Sequence, residues 1–553
     1  MMLPSRGQLQ LLIVAVAALL FVPGLGSVHL FDWDEINFAE IAREMITTGD
    51  WTRPQIDYQP FHEKPPLFIW MQAVSMKAFG VGEFAARLPN AINGILTLLL
   101  LYRIGDQLRG RVFGMMWALA YVGSILPHLY FRSGIIDPWF NLFIFLGLHA
   151  LITLVQRDPK RHPSAVNGRR DLHAWLAGLL LGLAVLTKGP VGLLIPGLVL
   201  GVYWAMGRFR TILRWRRIAI IGAATLLTIA TWGLYDLLRN GPEFMVAFFW
   251  RQVAMLTTED AGHGGFFGYH FVVLLLGCFP ASMFAVQELL KPTREEEHEL
   301  RDHRRWMVIL LWVVLILFSI VKTKIVHYSS LAYFPLTYLA ALQLERIWKQ
   351  RAAFGWSRFV LGGLGSLIAG VFIIVPFLGM RIELLKPLFA QDPFAQANLE
   401  AAVRWTGFEA LAGLLLLGAL VTGHWLHGKA RYREAVLVVF GGTALFVTVT
   451  LYFFINRIEG YSQHAAIEFF KERRGEPCYV ITKNYKSYAH LFYTAKPPVS
   501  DARNHDEEWL LHGNMDRPVY VVCKITAVEE VAAIRTLQEV GRENGFVFFK
   551  RDP

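Results

Sequence analysis

The sequence predicts an all-α transmembrane bundle of about 13 spans, joined to a small C-terminal α/β domain on the outer face. Three observations carry this prediction. Of 553 residues, 54% are hydrophobic and only 18% charged, whereas soluble domains carry about 25% charged residues. Mean hydropathy is +0.40. Apolar runs recur at lengths of roughly 17–22 residues, enough to cross a bilayer core. Disorder, a coiled coil and a disulfide scaffold are thereby excluded. Cys278, Cys478 and Cys523 are too few for a disulfide framework or a thiolate zinc site. The net charge of +11 gathers in loops between apolar runs, which points to the membrane surface and away from nucleic acid.

The expected spans are 10–28, 84–102, 112–130, 138–155, 173–188, 190–206, 217–237, 270–289, 306–321, 328–345, 358–379, 405–423 and 435–455. The first reads as an uncleaved anchor. Residues 65–80 are apolar but short, which suits an interfacial or re-entrant segment. Charge settles the matter. If this segment does not cross, the loops holding Arg103 and Arg109, Arg157 and Arg170, Arg208 and Arg214, Lys291 and Arg305, Arg346 and Lys349, and Lys429 and Arg433 share one side. The positive-inside rule makes that side cytoplasmic. The N-terminus is then inside and the C-terminus outside.

The chain therefore divides into a transmembrane domain, 1–455, with a large outer loop at 29–83, and an outer domain from 456 to 553. In the outer domain, 478–482, 519–523 and 546–550 read as strands, with helical periodicity at 485–494 and 526–543. It carries no phosphate-binding glycine motif and is assigned an accessory role. Cys478 and Cys523 lie on two of its strands, as a disulfide or as buried thiols, the thiols being favoured.

Chemistry is expected where polar residues collect against the apolar composition. Asp34 and Glu35 open a helix with Phe38, Ile41, Ala42 and Met45 on one face and Glu40, Arg43 and Glu44 on the other. Such a helix is expected to lie in the interface with its apolar face in lipid. Asp34 reads equally as a helix cap, and Glu35 as a partner of the helix dipole. Asp137-Pro138 also reads as a cap with proline at the first helical position.

Glu63 and Lys64 sit beside an apolar segment, where unpaired charge is costly. Lys322 and Lys324 add cations on the face where the positive-inside rule disfavours them. Lipid headgroups could hold these charges. Equally, cations beside an apolar groove fit a ligand with a phosphate head and an isoprenoid tail. Arg251 and His263, in the 239–269 loop, stand between a surface role and this site. Acids, cations and histidines from separate outer loops are the equipment of glycosyl transfer from a lipid phosphate.

The run D-E-I-N-F-A-E-I-A-R-E-M with G-D-W and E-K-P-P-L resembles the bacterial polytopic type-C glycosyltransferases. The branch is the lipid A aminoarabinose transferase and protein mannosyltransferase-like group. F-G-V-G-E-F-A-A-R-L-P (79–89), G-I-I-D-P (134–138), L-T-K-G-P (186–190) and K-T-K-I-V-H-Y (322–328) follow in the same order. The resemblance implies a type-C fold, with Asp34 as catalytic acid, Asp137 as the second acidic position and Glu35 beside them. It implies Lys64 as the polyprenyl-phosphate cation, with Lys322, Lys324 and Tyr328 near it, and Glu63 with His263 at a zinc-like divalent-metal position. The donor would be an undecaprenyl-phosphate-linked sugar, transferred with inversion. The acceptor would be lipid A, another envelope glycan or a protein hydroxyl. His62 departs from the family, which usually has an aromatic residue there.

A lipid-linked sugar flippase is the contrasting class. It would place ionisable groups near the bilayer midplane and show pseudo-repeats. Here the charges cluster in outer loops, and only Lys188, near a span end, fits that reading.

Overall fold

The computed structural model describes residues 4–157, 170–257, 264–293, 297–349, 352–499 and 501–553. A helix or a bent helix pair stands at every expected span. Among the described residues, eight helices are individually long and apolar enough to cross a membrane. Two further segments are broken pairs, Arg111–Val122 with Ile125–Arg132, bent by 81°, and Tyr269–Gly277 with Ala281–Leu290, bent by 117°. The second break falls at Phe279-Pro280, where proline supplies no N–H and disfavours helical geometry in the residue before it. Arg6–Phe21, Val191–Met206 and Tyr333–Trp348 are shorter, at 16 residues each. Leu67–Phe79, at 13 residues, is the short outer segment.

The bundle packs as membrane helices do, by close approach and not by solvent exclusion. Gly105 of Glu83–Arg109 meets Gly114 of Arg111–Val122 so tightly that a side chain at Gly105 would come within 2.6 Å of the Gly114 backbone. Charges inside the bundle are paired, as burial demands: Arg109 with Glu345 at 2.8 Å, Arg304 with Glu288 at 2.9 Å and Arg457 with Glu409 at 2.8 Å.

The outer domain begins where the last long helix, Tyr432–Gly460, runs on past the expected end at 455 into the helix His464–Glu472. Its four strands lie in the order 479–483, 519–524, 546–551 and 538–543, the first pair parallel and the others antiparallel. The last of these corrects the sequence reading, which placed a helix over 526–543. Only Val528–Ala532 is α-helical there, after a short 3-10 turn at Ile525–Ala527. Asn544-Gly545, with Asn544 at φ 55°, turns the chain into a hairpin instead. Helix is also confined to Ala489–Thr494 within the expected 485–494. All three cysteines are free thiols. Tyr479 pairs with Val519 and Lys483 with Cys523, so Cys478 and Cys523 stand at opposite ends of neighbouring strands.

The helix Asp34–Thr48 overturns a second expectation. Its residues from Glu35 to Met45 are buried on every face, so it does not lie with one side in lipid. The outer domain covers it. Ile36, Ile41 and Met45 share one apolar core with Ile69 of the short outer helix and with Phe470, Leu491 and Phe548 of the outer domain. On the polar side Arg43 pairs with Glu40 at 2.6 Å and donates to the Lys496 carbonyl at 2.9 Å. The Tyr493 hydroxyl accepts from the Leu30 N–H at 2.8 Å.

Candidate active site

A cavity of about 1090 Å³ opens between the outer loops and the bundle. Phe140, Val191, Leu194, Phe249, Phe318 and Leu451 line its apolar part, and Asp34, Glu63, Lys64, Asp137, Lys188, Arg251, His327, Tyr328 and Lys486 supply its polar part. The cavity is amphipathic, lined by both charged and apolar side chains.

The two acids meet through a histidine. Asp34 is the first residue of its helix and Asp137 the first of Asp137–Gln156. His327 Nε2 lies 3.5 Å from Asp34 Oδ2 and 3.7 Å from Asp137 Oδ2. The other oxygen of Asp137 accepts from Lys188 Nζ at 2.6 Å, and that ammonium sits 5.2 Å from the centre of the Tyr328 ring. Asn141 Nδ2 donates to Ser330 Oγ at 2.7 Å, which holds the His327 segment against the Asp137 helix. Burial lowers the His327 pKa and the Asp34 charge opposes that shift.

Glu35 does not share this role. Its carboxylate receives Arg87 Nε at 3.0 Å, Arg87 Nη2 at 2.7 Å, the Phe31 N–H at 2.9 Å and the Gly134 N–H. Burial alone would raise its pKa, but Arg87 and the two backbone donors hold it below the ordinary glutamate value. Both oxygens of Glu35 are thus engaged, although the residue lines the cavity. It ties the start of the Asp34 helix to the turn before Asp137, which is why acids 103 residues apart in sequence face one imidazole.

Lys64 lines the cavity as expected. Burial lowers its pKa, the charges of Glu63 and Asp34 oppose this, and Lys188 and Arg251 add to it. Arg251 also lines the cavity and pairs with Glu63 at 3.3 Å. The structure separates Lys322 and Lys324 from them. Lys322 is exposed, and neither residue lines the cavity. Lys324 Nζ donates to the carbonyls of Phe318 at 3.0 Å, Ser319 at 2.7 Å and Val321, closing the C-terminal end of His298–Ile320. The positive-inside violation that marked Lys324 has this local cause.

The expected metal position rests on Glu63 and His263. His263 lies outside the described residues, and the Glu63 carboxylate faces Arg251. Sequence reasoning gave no site role to His327, Lys188 or Lys486. The first two stood inside quoted motifs, K-T-K-I-V-H-Y and L-T-K-G-P. Lys486 comes from the outer domain and stacks its ammonium 4.6 Å from the centre of the Trp33 ring.

Residues 63–235 match the family described as dolichyl-phosphate-mannose-protein mannosyltransferase. The crystal structure of ArnT from Cupriavidus metallidurans bound to undecaprenyl phosphate superposes with a TM-score of 0.77 at 21% identity, over 99% of this chain and 98% of that one. The chain has the type-C glycosyltransferase fold. Among curated proteins similar to this chain, an undecaprenyl phosphate-alpha-4-amino-4-deoxy-L-arabinose arabinosyl transferase of Pectobacterium carotovorum is 30% identical over 61% of this chain and 60% of its own length. A second, from Sodalis glossinidius, is 27% identical over 75% of this chain and 72% of its own. The match thus spans less than two thirds of the first relative. The type-C reading made from the motifs agrees with both the superposition and these relatives.

Proposed function

We propose that the protein transfers 4-amino-4-deoxy-L-arabinose from an undecaprenyl-phosphate carrier to lipid A at the outer face of the bacterial inner membrane. The observation that carries this reading is the cavity itself, which brings Lys64 and Arg251 together with Asp34, Asp137 and a set of apolar side chains. The lipid tail occupies the apolar part. Lys64 and Arg251 hold the phosphate, and their charge counts most as the bond from the sugar C1 to the phosphate oxygen breaks and negative charge gathers on the leaving group. The acceptor oxygen forms the new C1–O bond from the opposite face, inverting the anomeric carbon. Asp34 orients that oxygen and takes its proton when the acceptor is a hydroxyl; a phosphate acceptor brings no proton to remove. Asp137, fixed by Lys188, binds the sugar.

A protein hydroxyl is the alternative acceptor, and a flippase the alternative class. The apposition of Asp34, His327 and Asp137 favours chemistry over transport, since it clusters polar groups at the outer mouth. The test is transfer by purified protein in detergent from radiolabelled undecaprenyl-phosphate sugars to mixed envelope acceptors, with Asp34→Asn as control. Label in lipid A that depends on Asp34 supports the proposal. Label in protein changes the acceptor. Carrier bound but no transfer from any donor sinks the enzyme reading and revives the flippase.

A further inference from the structure

Outside the active-site cavity, three ligand-type side chains converge from three parts of the chain. His29 follows the first helix, Glu459 ends the last long helix of the bundle, and His464 opens the first helix of the outer domain. Among the described residues, this is the one group of three His, Cys, Asp or Glu whose ligand atoms all lie within 4.8 Å of one another. The geometry points to a divalent-cation site of the zinc class at His29, Glu459 and His464, clamping the outer domain to the bundle.

The donor set fits. Two imidazoles and one carboxylate are a common zinc triad, with metal–ligand distances of about 2.0–2.2 Å and a fourth position left for water. Tetrahedral ligands at that range stand about 3.4 Å apart. Here His29 Nδ1 lies 2.8 Å from Glu459 Oε1, and His464 Nδ1 lies 2.9 Å from Glu459 Oε2. Small side-chain rotations admit a cation in place of the two Nδ1 protons. The Glu459 side chain is only 6% exposed, so its charge has little water to stabilise it.

Two further features belong to metal sites. Histidine ligands usually give their second ring N–H to a carboxylate, and His29 Nε2 lies 3.3 Å from Glu468 Oε1. Lys471 Nζ holds that carboxylate at 2.8 Å and donates to the same ring nitrogen at 3.2 Å, a contact that a bound cation at Nδ1 displaces. A cavity of about 720 Å³, bounded by Gly26, Val81, Asn456 and Arg474, reaches His29 and His464 and supplies an entry path. A simple hydrogen-bonded trio is the competing arrangement, and the experiment decides between them.

The full-length protein in detergent is stripped with a chelator, dialysed, and titrated with cobalt(II) and zinc(II). Expected are one cobalt per chain with tetrahedral visible bands, displacement by zinc, and a Tm rise of several degrees with micromolar zinc. Glu459→Gln and His464→Gln should lose the bands and the Tm rise, while Glu63→Gln keeps both. Both glutamine variants retain hydrogen-bonding side chains, and the His464 side chain is 44% exposed. Metal-free Tm close to that of the parent therefore separates lost binding from lost folding. No cobalt band in the parent protein, or bands that survive in both variants, would mean a hydrogen-bonded trio only and would overturn the assignment. Neither result depends on which sugar or acceptor the active site uses.

Discussion

Lys188 reaches Asp137 at 2.6 Å from the end of one helix to the start of another, leaving the second oxygen of Asp137 turned towards His327. The pair is nearly enclosed, with side-chain exposures of 19% and 3%. Removing one partner strands a buried charge, at a cost of about 3–5 kcal/mol. Lys188→Met should therefore lower Tm markedly and reduce turnover. Lys188→Met combined with Asp137→Asn should recover part of the lost stability but no activity. A double variant no more stable than Lys188→Met would contradict the pairing.

Asp34→Asn should reduce turnover at least about 100-fold, the range of lost acid–base or orienting catalysis. Carrier-lipid affinity should stay within about threefold, because the phosphate cations are untouched. Transfer that persists at the parent rate refutes the assignment.

Lys64 gives a pH prediction. Only its protonated form attracts the donor phosphate, and burial places its pKa below the ordinary lysine value despite the opposing charges of Glu63 and Asp34. Donor affinity should be fully present at neutral pH and decline as pH rises through this lowered pKa. Lys64→Arg stays charged throughout and should remove the alkaline decline even if affinity at neutral pH is reduced. Binding of labelled carrier lipid between about pH 7 and pH 10.5 measures both, and a decline of equal midpoint in the variant would exclude Lys64 as its source.

Lys324 and Lys64 should separate cleanly. Lys64→Ala should weaken carrier binding at least about tenfold, as loss of a charge-assisted phosphate contact does. Lys324→Ala should lower Tm by freeing the end of His298–Ile320 while leaving carrier affinity unchanged. Equal losses of affinity would restore Lys324 to the phosphate clamp.

Glu35→Gln keeps the shape but loses the charge that balances Arg87, whose side chain is only 6% exposed. It should reduce Tm and turnover together, with no change in carrier affinity. A variant that keeps the parent Tm while losing turnover would mean that Glu35 reacts.

Hydrophobic periodicity made the bundle legible, because a spanning helix must satisfy its backbone internally and advertises this as an apolar run. The loop motifs likewise pointed to Asp34, Asp137, Lys64 and Tyr328, and the 239–269 loop offered Arg251; all five line one cavity. Adjacent acids were harder to tell apart. Asp34 and Glu35 differ by about 100° around their helix, and both line the cavity, but which of them is tied up in an ion pair depends on Arg87, 52 residues away. The same holds for Lys324, whose carbonyl partners form only when a preceding helix ends within reach. The hairpin strand at 538–543 was masked by helix-like periodicity, although Asn544-Gly545 was the turn signal to weigh against it. The burial of Asp34–Thr48 was invisible because its cover is encoded more than four hundred residues later.

That cover sets an order of assembly. Asp34 leaves the ribosome early, but the groups that close over its helix, from Tyr493 and Lys496 to Phe548, are translated only near the end. The apolar core they complete cannot exist until both have been translocated. A nascent chain whose bundle is already inserted therefore holds the Asp34 helix uncovered until its last residues are made. Under the proposed function, translation order keeps an unfinished molecule from transferring sugar.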